Sequence, residues 1–251
     1  MTKRDERPLT VRLKPKKNRT VSQKHWLERQ LNDPYVARAK REGLRSRAAY
    51  KLIEIDDKYR LLKPGGRVVD LGAAPGGWSA VAAARVGAAD RNGKVVAIDI
   101  LDMAPVAGVD FRKLDFLSPE APQVLHAMLG GGADVVLSDM AANATGHKKT
   151  DQLKIMALVE AGAEFAREVL RPGGSFLTKV LQGGTDTALL AGLKRDFASV
   201  KHVKPQASRA DSSELYLLAT GFRGLSPAHS RESGTPALGP GSPLSRGRAE
   251  K

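Results

Sequence analysis

The stretch VVDLGAAPGGWS, residues 68–79, joins an apolar segment typical of a buried strand to a turn of small residues. An apolar run ends at Asp70, passes into alanines and glycines, and reaches Trp78. In an open parallel sheet, ligands lie beyond the carboxyl ends of the strands, so a turn in this place faces a ligand. The first question is whether that ligand carries a phosphate.

The glycine pattern of the turn argues against a phosphate. A P-loop ends in Gly-Lys followed by Ser or Thr, and GGWS contains no lysine. A dinucleotide-binding turn has the pattern G-x-G-x-x-G, but here Gly72 is followed two residues later by Ala74. Pro75 also removes one backbone N–H that could face an anion. The turn therefore favours a ligand that is held without recognition of a pyrophosphate.

Two acidic residues at predicted strand ends indicate what else the ligand carries. Asp99 ends the second strand, GKVVAIDI, 23 residues after Gly76, where a carboxylate accepts hydrogen bonds from ribose hydroxyls. Asp115 ends the third strand and can accept a hydrogen bond from an adenine amino group. A ribose and an adenine without a pyrophosphate point to S-adenosylmethionine. The alternative, that both are ordinary strand-end acids, stays open at this point.

Strand-like and helix-like segments alternate through the middle of the chain. The strand-like segments are RVVDLG, GKVVAIDI, GVDFRKLDF, ADVVLSDM, SFLTKVL, SVKHVKP and ELYLLATGF. This alternation predicts an α/β, Rossmann-like fold with a mostly parallel seven-stranded sheet and helices on both faces. The last two strands follow each other without a helix, which predicts an antiparallel edge strand.

Three regions are expected along the 251 residues. Residues 1–32 are predicted to be a basic, flexible arm with at most a short helix, and residues 33–224 to be one domain. That domain is predicted to begin with two helical pieces broken near Gly43. Residues 225–251 are rich in Gly, Pro and Ser, which predicts a disordered tail.

The charge of the chain is concentrated at its N-terminus. Residues 1–50 contain 15 basic and 5 acidic side chains, whereas residues 51–224 contain 22 and 20. A concentrated basic segment is typical of a protein that binds a polyanion, most often nucleic acid. From charge alone, a solvated tail that only improves solubility is the alternative.

Several classes of protein are disfavoured by composition. The chain has no cysteine, so thiolate chemistry and disulfides are absent, and its five histidines lack metal-ligand spacing, so no metal is predicted. No apolar stretch approaches the roughly 20 residues of a membrane span, and the N-terminus lacks the apolar core of a secretory signal. We therefore expect a cytoplasmic protein without membrane contact, acting as a monomer.

A second set of candidate residues combines two lysines with two carboxylates. Asp139 ends the fourth strand, and Lys179 lies inside the apolar fifth strand, where an unpaired charge is costly to bury. Glu214 opens the last strand, and Lys51 lies on the helix before the first strand. Because spacing cannot show that these residues meet, structural ion pairs remain an alternative.

The segments SRAAYKL, VVDLGAAPGGWS, AIDI, LDF, LSDMAAN, GGSFLTKV and SRADSSELYLLATG occur in this order between residues 33 and 221. Together they resemble the FtsJ-type family of ribose 2′-O-methyltransferases, and most closely its bacterial branch that acts on large-subunit ribosomal RNA. The resemblance implies an S-adenosylmethionine-dependent enzyme that methylates a uridine ribose 2′-OH in 23S ribosomal RNA, on the assembled 50S subunit.

The resemblance also assigns roles to residues. It implies a catalytic tetrad with Lys179 as proton acceptor, and it implies a set of positions that bind the methyl donor. The tetrad is Lys51, Asp139, Lys179 and Glu214, and the donor-binding residues are Gly76, Trp78, Asp99, Asp115 and Asp139. The family commonly has proline where this chain has Ala142, so we expect a looser loop there.

The RNA surface is expected to include the arm, Arg45, Arg47 and the loop GHKKT, residues 146–150. Two alternatives stay open for the function. The substrate could be transfer RNA or another RNA, since the same tetrad serves several RNAs in the family. The chain could also be a non-catalytic RNA-binding factor of ribosome assembly, although such a protein has no need of a buried lysine.

Overall fold

The computed structural model describes residues 10–14, 20–90, 92–142, 145–183, 185–209 and 212–224, with the backbone alone at residues 22, 26 and 148. The tail predicted for residues 225–251 and most of the arm before residue 20 lie outside these described residues. The three predicted regions and their boundaries therefore stay predictions.

Within the described residues, the chain forms one seven-stranded sheet with the order β3-β2-β1-β4-β5-β7-β6. Neighbours from β3 to β5 are parallel, whereas β7 is antiparallel to both β5 and β6. The predicted fold class is confirmed. The antiparallel strand β7 lies between β5 and the edge strand β6, and the strands are β1 (Arg67–Leu71), β2 (Lys94–Asp99), β3 (Val109–Lys113), β4 (Ala133–Ser138), β5 (Leu170–Leu181), β6 (Phe197–Val203) and β7 (Glu214–Phe222).

Helices connect and cover these strands. They are α1 (Val21–Leu31), α2 (Pro34–Arg41), α3 (Ala48–Tyr59), α4 (Gly77–Val86), α5 (Ala121–Leu129), α6 (Lys148–Val169) and α7 (Thr187–Asp196). The predicted break near Gly43 is confirmed, because α2 ends before this residue and Gly43 has a φ of 70°. Asp33 caps α2 by accepting a hydrogen bond from the N–H of Tyr35, next to a proline in the first turn.

The described part of the N-terminal segment, residues 10–14 and 20–32, contains helix α1. Helix α1 begins with a capping box, in which Thr20 and Gln23 satisfy each other's backbone N–H groups. The backbone N–H of Val11 donates to Asn32 and that of Leu13 donates to Glu28, so this short segment lies along α1. Helix α1 thus occupies the last part of the predicted arm, and the flexibility expected for the arm stays a prediction.

Apolar side chains cover both faces of the sheet, as a doubly wound fold requires. One face packs against α5, α6 and α7 through residues such as Leu125, Phe165 and Leu193. The other face packs against α3 and α4 through residues such as Leu52 and Val81. The site described below is therefore held between two packed layers.

The order of the strands fixes where a ligand can bind. Strand β1 has β2 on one side and β4 on the other. Strands β2 and β3 are added on one side of β1, and the later strands are added on the other side. The connections that leave β1 and β4 separate at this point, which opens a crevice at their carboxyl ends. The residues that follow β1, β2, β3 and β4 all lie at this edge.

None of the helices in the described ranges is both long and apolar enough to cross a membrane.

Replacement of the buried Phe176 measures how much the core contributes to the free energy of unfolding. Its ring is fully buried beneath α6, with Gly162 packed closely against it. We expect Phe176→Ala to lower the free energy of unfolding by about 3–5 kcal/mol, because the variant leaves a cavity in the larger core. Urea denaturation measures this value. Leu153→Ala, at an exposed residue of α6, is the control and should change it by less than about 0.5 kcal/mol; equal effects would contradict the packing described.

Candidate active site

The turn after β1 is attached to the neighbouring strand and to the loop after β4. The N–H groups of Gly72 and Ala73 both donate to the carbonyl of Ile98, at 3.0 and 3.1 Å. A Cβ atom on Gly72 would lie 2.8 Å from Cγ of Met140, so a larger residue would collide there. Gly76, with a φ of 98°, starts α4 in a conformation that favours glycine. This close packing places the turn directly beside Asp139.

The backbone holds the two predicted ribose- and adenine-binding acids in fixed positions. Asp99 accepts hydrogen bonds from the N–H groups of Ala74 and Leu101, at 2.9 and 2.8 Å. Asp115 accepts one from the N–H of Leu117 at 2.9 Å. Each carboxylate oxygen has a second lone pair that can accept a hydrogen bond from a ligand hydroxyl or amino group. Their placement at adjacent strand ends fits the predicted role.

Trp78 lies in the first turn of α4 with its side chain turned into the protein. Its indole N–H donates to the carbonyl of Ala48 at 2.9 Å, and its ring packs 5.4 Å from the ring of Tyr216. The backbone N–H groups in the first turn of a helix have no partner within the helix. A donor contact at Trp78 stays a prediction, and the backbone is the part of the residue that such a contact would use.

Lys179 and Asp139 form the first of two ion pairs in the site. Nζ of Lys179 lies 3.1 Å from Oδ1 of Asp139 and donates to the backbone carbonyl of the same residue at 2.6 Å. The lysine side chain is only 8% exposed. The cost of removing its charge from water is therefore offset by a carboxylate and a carbonyl from one residue.

Lys51 and Glu214 form the second ion pair. Nζ of Lys51 donates to Oε2 of Glu214 at 3.1 Å, with the lysine buried and the glutamate partly exposed. Although burial opposes it, the nearby ammonium groups of Lys51 and Lys179 lower the pKa of Glu214. The structure thus brings together all four residues of the predicted tetrad.

Tyr216 connects the two ion pairs, and it is not among the site residues predicted from the sequence. Its hydroxyl donates to Oδ1 of Asp139 at 2.9 Å, while Nζ of Lys51 lies 5.5 Å from the centre of its ring. Tyr216 follows Glu214 by two residues on a strand, so both side chains lie on the same face. That spacing was the available signal, but a tyrosine in an apolar strand is also typical of a core residue.

Asp70, the last polar residue of β1, is a second residue to which the sequence assigned no role. It is fully buried, and its Oδ2 accepts a hydrogen bond from the hydroxyl of Ser79 at 2.6 Å. Its Oδ1 has no hydrogen-bond partner among the described residues. Burial, opposed by the hydrogen bond from Ser79 and reinforced by the charges of Asp139 and Asp99, raises the pKa of Asp70 to about 7.

These carboxylates fit the methyl donor that the sequence predicts. The charges of Asp99 and Asp139 oppose the ionisation of Asp70, a cation placed here would relieve this effect, and the sulfonium group of S-adenosylmethionine carries a positive charge. The acids at the ends of β2 and β3 are suited to its ribose and adenine. For metals, the described residues contain no group of three His, Asp or Glu side chains arranged to hold an ion.

Two arginines that were expected at the RNA surface also bind within the protein. Arg45 is exposed, and its guanidinium donates to the carbonyls of Ala104, at 2.8 Å, and Pro105. Arg47 is mostly buried, forms an ion pair with Asp33 at 2.6 Å, and donates to the carbonyl of Ala207. Their contact with RNA stays a prediction, and Arg47 has the smaller surface available for it.

The loop before α6 is attached to the first turn of that helix. Asp151 accepts hydrogen bonds from the backbone and hydroxyl of Thr145, at 2.7 and 2.6 Å, and these bonds lower its pKa. Residues 143 and 144 lie outside the described residues, so the expected looseness of the loop at Ala142 stays a prediction.

Comparison with known proteins gives the family of the chain. A family model described as FtsJ-like methyltransferase matches residues 44–222, which include the whole sheet and all four tetrad residues. The chain belongs to the FtsJ-like methyltransferase family. The resemblance stated from the motifs is therefore confirmed, and the protein is a methyltransferase.

Curated relatives and a solved structure agree with this assignment. The ribosomal RNA large subunit methyltransferase E of Xanthobacter autotrophicus is 68% identical over 220 residues, covering 88% of this chain and 87% of the relative. The protein of the same name from Rhodopseudomonas palustris is 72% identical over 204 residues, covering 81% and 86%. The structure of a ribosomal RNA methyltransferase from Plasmodium falciparum has a TM-score of 0.64 at 31% identity, covering 72% of this chain and all of that one.

Asp70 gives a pH dependence that can be tested. Its pKa is about 3.9 in an unfolded chain and about 7 when folded, so the unfolded state loses its proton first as the pH rises. The stability that Asp70 contributes is therefore full below about pH 4 and is lost as the pH rises to about 7. Relative to Asp70→Asn, we expect the wild type to lose about 2–3 kcal/mol of unfolding free energy between pH 5 and pH 8.

Urea denaturation at both pH values measures this difference. Asp110→Asn, at an exposed carboxylate of β3, is the matched control and should shift the comparison by less than about 0.5 kcal/mol. A constant difference between wild type and Asp70→Asn at the two pH values would show that Asp70 does not carry its proton in the folded state.

Proposed function

We propose that this methyltransferase transfers the methyl group of S-adenosylmethionine to the 2′-OH of a uridine ribose in 23S ribosomal RNA, on the assembled 50S subunit. The observation that carries the proposal is the meeting of the Lys179–Asp139 and Lys51–Glu214 pairs, each at 3.1 Å, beside the turn after β1. Relatives that are 67–72% identical are named ribosomal RNA large subunit methyltransferase E, which supports the choice of RNA.

The methyl donor is assigned to the carboxyl ends of β1 to β4. Asp99 and Asp115 would hold its ribose and adenine, Gly76 would let it approach the backbone, and Asp139 would face its methionine portion. When bound, S-adenosylmethionine supplies an electrophilic methyl group, and the electron pair of the broken C–S bond stays on sulfur to leave S-adenosylhomocysteine. These donor contacts are part of the proposal and are supported by the placement of the acids.

The chain's own residues are proposed to orient the ribose and to accept its proton. The 2′ oxygen forms the new O–C bond, and Nζ of Lys179 takes the proton that the 2′-OH releases, for which this lysine must first be neutral. Because four charged groups are in close contact, the protonation state belongs to the cluster rather than to one residue. Most of the rate enhancement would come from holding the oxygen behind the methyl group.

Lys51 and Glu214 are proposed to hold the target ribose. Glu214 is the more exposed partner of this pair, with 37% of its side chain accessible, so it can reach a substrate hydroxyl while it remains bound to Lys51. Asp139 fixes Lys179 through the other ion pair. A substrate hydroxyl placed between the two pairs would meet both a donor and an acceptor of hydrogen bonds.

The basic N-terminal region is proposed to bind the phosphates of the RNA. Residues 1–50 carry ten more basic than acidic side chains, and such contacts give affinity without choice of sequence. Aromatic residues are only 5% of the chain, so extensive base stacking is disfavoured and recognition would rest on RNA shape. The monomeric state and the cytoplasmic location remain predictions from the sequence.

The substrate and the chemistry can be tested together with labelled S-adenosylmethionine. We expect label on ribose in purified 50S subunits, little on naked 23S RNA and none on bulk transfer RNA, with nuclease digestion locating the label. Lys179→Ala should reduce the rate by at least about 100-fold, since general base catalysis contributes about that much or more. Lys58→Ala, at an exposed lysine of α3, is the matched control and should keep the wild-type rate.

Each other outcome has a definite meaning. Label on transfer RNA would retain the chemistry and replace the substrate. Donor binding without transfer to any RNA would favour the non-catalytic assembly factor. Label on a base would contradict ribose methylation, and full activity of Lys179→Ala would remove this lysine as the proton acceptor.

The role of the N-terminal region can be tested through salt dependence. Replacing Lys14, Lys16, Lys17 and Arg19 with glutamine removes four charges without shortening the chain. We expect weaker RNA binding and a log–log salt slope reduced by about 0.7 for each phosphate of single-stranded RNA that the variant no longer neutralises. Filter binding over a range of salt concentrations measures the slope. Deletion of residues 225–251 is the control, and an unchanged slope in the glutamine variant would place the phosphate contacts elsewhere.

A further inference from the structure

Tyr216 lies where the two halves of the tetrad meet. It is fully buried on β7 and stands directly opposite Lys179 on β5 in the antiparallel pairing of these strands. Side chains of directly opposed residues lie on the same face of a sheet, with their Cβ atoms about 4.5–5.5 Å apart. Strand pairing alone therefore places Tyr216 next to Lys179, the proposed proton acceptor, without a contribution from the loops.

The hydroxyl of Tyr216 shares one carboxylate oxygen with Lys179. It donates to Oδ1 of Asp139 at 2.9 Å, and Nζ of Lys179 lies 3.1 Å from the same atom. Burial, and then the charge of Asp139, raise the pKa of Tyr216 well above its ordinary value, so the hydroxyl keeps its proton and remains a donor throughout the working range. Part of the negative charge of Asp139 is thus stabilised by a neutral group.

The ring of Tyr216 contacts the second ion pair, Lys51–Glu214, through Lys51. Nζ of Lys51 lies 5.5 Å from the ring centre, within the range of a cation–π interaction, and Trp78 packs against the ring at 5.4 Å. One residue therefore contacts Asp139 through its hydroxyl and Lys51 through its ring. The charged and titratable groups around it are Arg47 and Lys51 from the α3 region, Asp139 after β4, Lys179 on β5 and Glu214 on β7.

We propose that Tyr216 is a positioning residue for methyl transfer, whose hydroxyl fixes Asp139 and limits how strongly this carboxylate favours the charged form of Lys179. The proposal rests on the proposed function above. Without the hydroxyl, Oδ1 of Asp139 would be satisfied by Lys179 alone, and the ammonium form of the lysine would be favoured. A lysine held in that form cannot accept the proton of the 2′-OH.

The variant Tyr216→Phe removes the hydroxyl and keeps the ring that packs against Trp78 and Lys51. We expect kcat on 50S subunits to fall about tenfold at neutral pH, because the variant lacks a hydrogen bond to a charged group. The KM for the subunit should not change. The pH at which kcat reaches half its maximum should move upward, so that alkaline pH restores much of the missing rate.

The matched control is Tyr50→Phe. Tyr50 is also buried, and its hydroxyl also donates to a carboxylate, Oε2 of Glu42 at 2.7 Å, outside the tetrad. We expect this variant to lose a similar amount of thermal stability while its kcat and pH profile stay those of the wild type. Thermal melts of both variants, together with full-length wild type, separate a structural effect from a positioning effect.

The outcomes distinguish this inference from the proposed function. An active wild type with the same kcat and pH profile in Tyr216→Phe would overturn the inference alone. A loss of rate that is equal at every pH, and that follows the loss of stability seen in Tyr50→Phe, would also overturn it. A wild type that transfers no methyl group to any RNA would overturn the proposed function and the inference with it.

Discussion

The ion pair between Lys179 and Asp139 requires one particular register of the two strands that carry these residues. Both residues follow a register pair of the parallel strands β4 and β5, in which Ser138 lies beside Thr178. A shift of one residue in this register would turn the lysine to the opposite face of the sheet, away from the carboxylate. The register of the sheet therefore fixes the distance of 3.1 Å between Nζ of Lys179 and Oδ1 of Asp139. A shifted register would leave the buried charge of Lys179 without its carboxylate, which is costly.

The distribution of charge follows from where the two predicted ligands approach. Acidic residues lie at the carboxyl ends of β1, β2 and β4, where the charges of Asp99 and Asp139 oppose the ionisation of Asp70, and this environment suits a cationic methyl donor. Positive charge dominates the N-terminal residues, which suit a polyanion. The proposed function uses both charge distributions, because it needs a cationic methyl donor at the acidic strand ends and a polyanionic RNA at the basic residues.

The sequence predicts the layers of this fold well because burial leaves a local pattern. Strand-like apolar runs alternate with helical segments, and a turn of small residues marks the ligand edge. The contacts of the site are not local: Lys51 and Glu214 are 163 residues apart, and only the resemblance to a family joined them in advance. From the sequence, Tyr216 is expected to be a core residue, because its hydrogen-bond partner Asp139 lies 77 residues away in the chain. From the sequence, Arg47 is expected to be an exposed cation, because its ion-pair partner Asp33 lies at the start of the preceding helix.

Buried ion pairs are a poor means of stabilising a fold, because well-packed apolar residues of similar size often give equal or greater stability. A chain that places two such pairs in contact, at the open edge of its sheet, therefore keeps them for another reason. Their arrangement supplies that reason: each lysine is fixed by a carboxylate, and one tyrosine touches both pairs. Proton transfer needs groups whose charge can change at small cost, and a cluster of compensating charges has this property. Under the proposed function, this cluster would control the proton of the 2′-OH at some cost in stability.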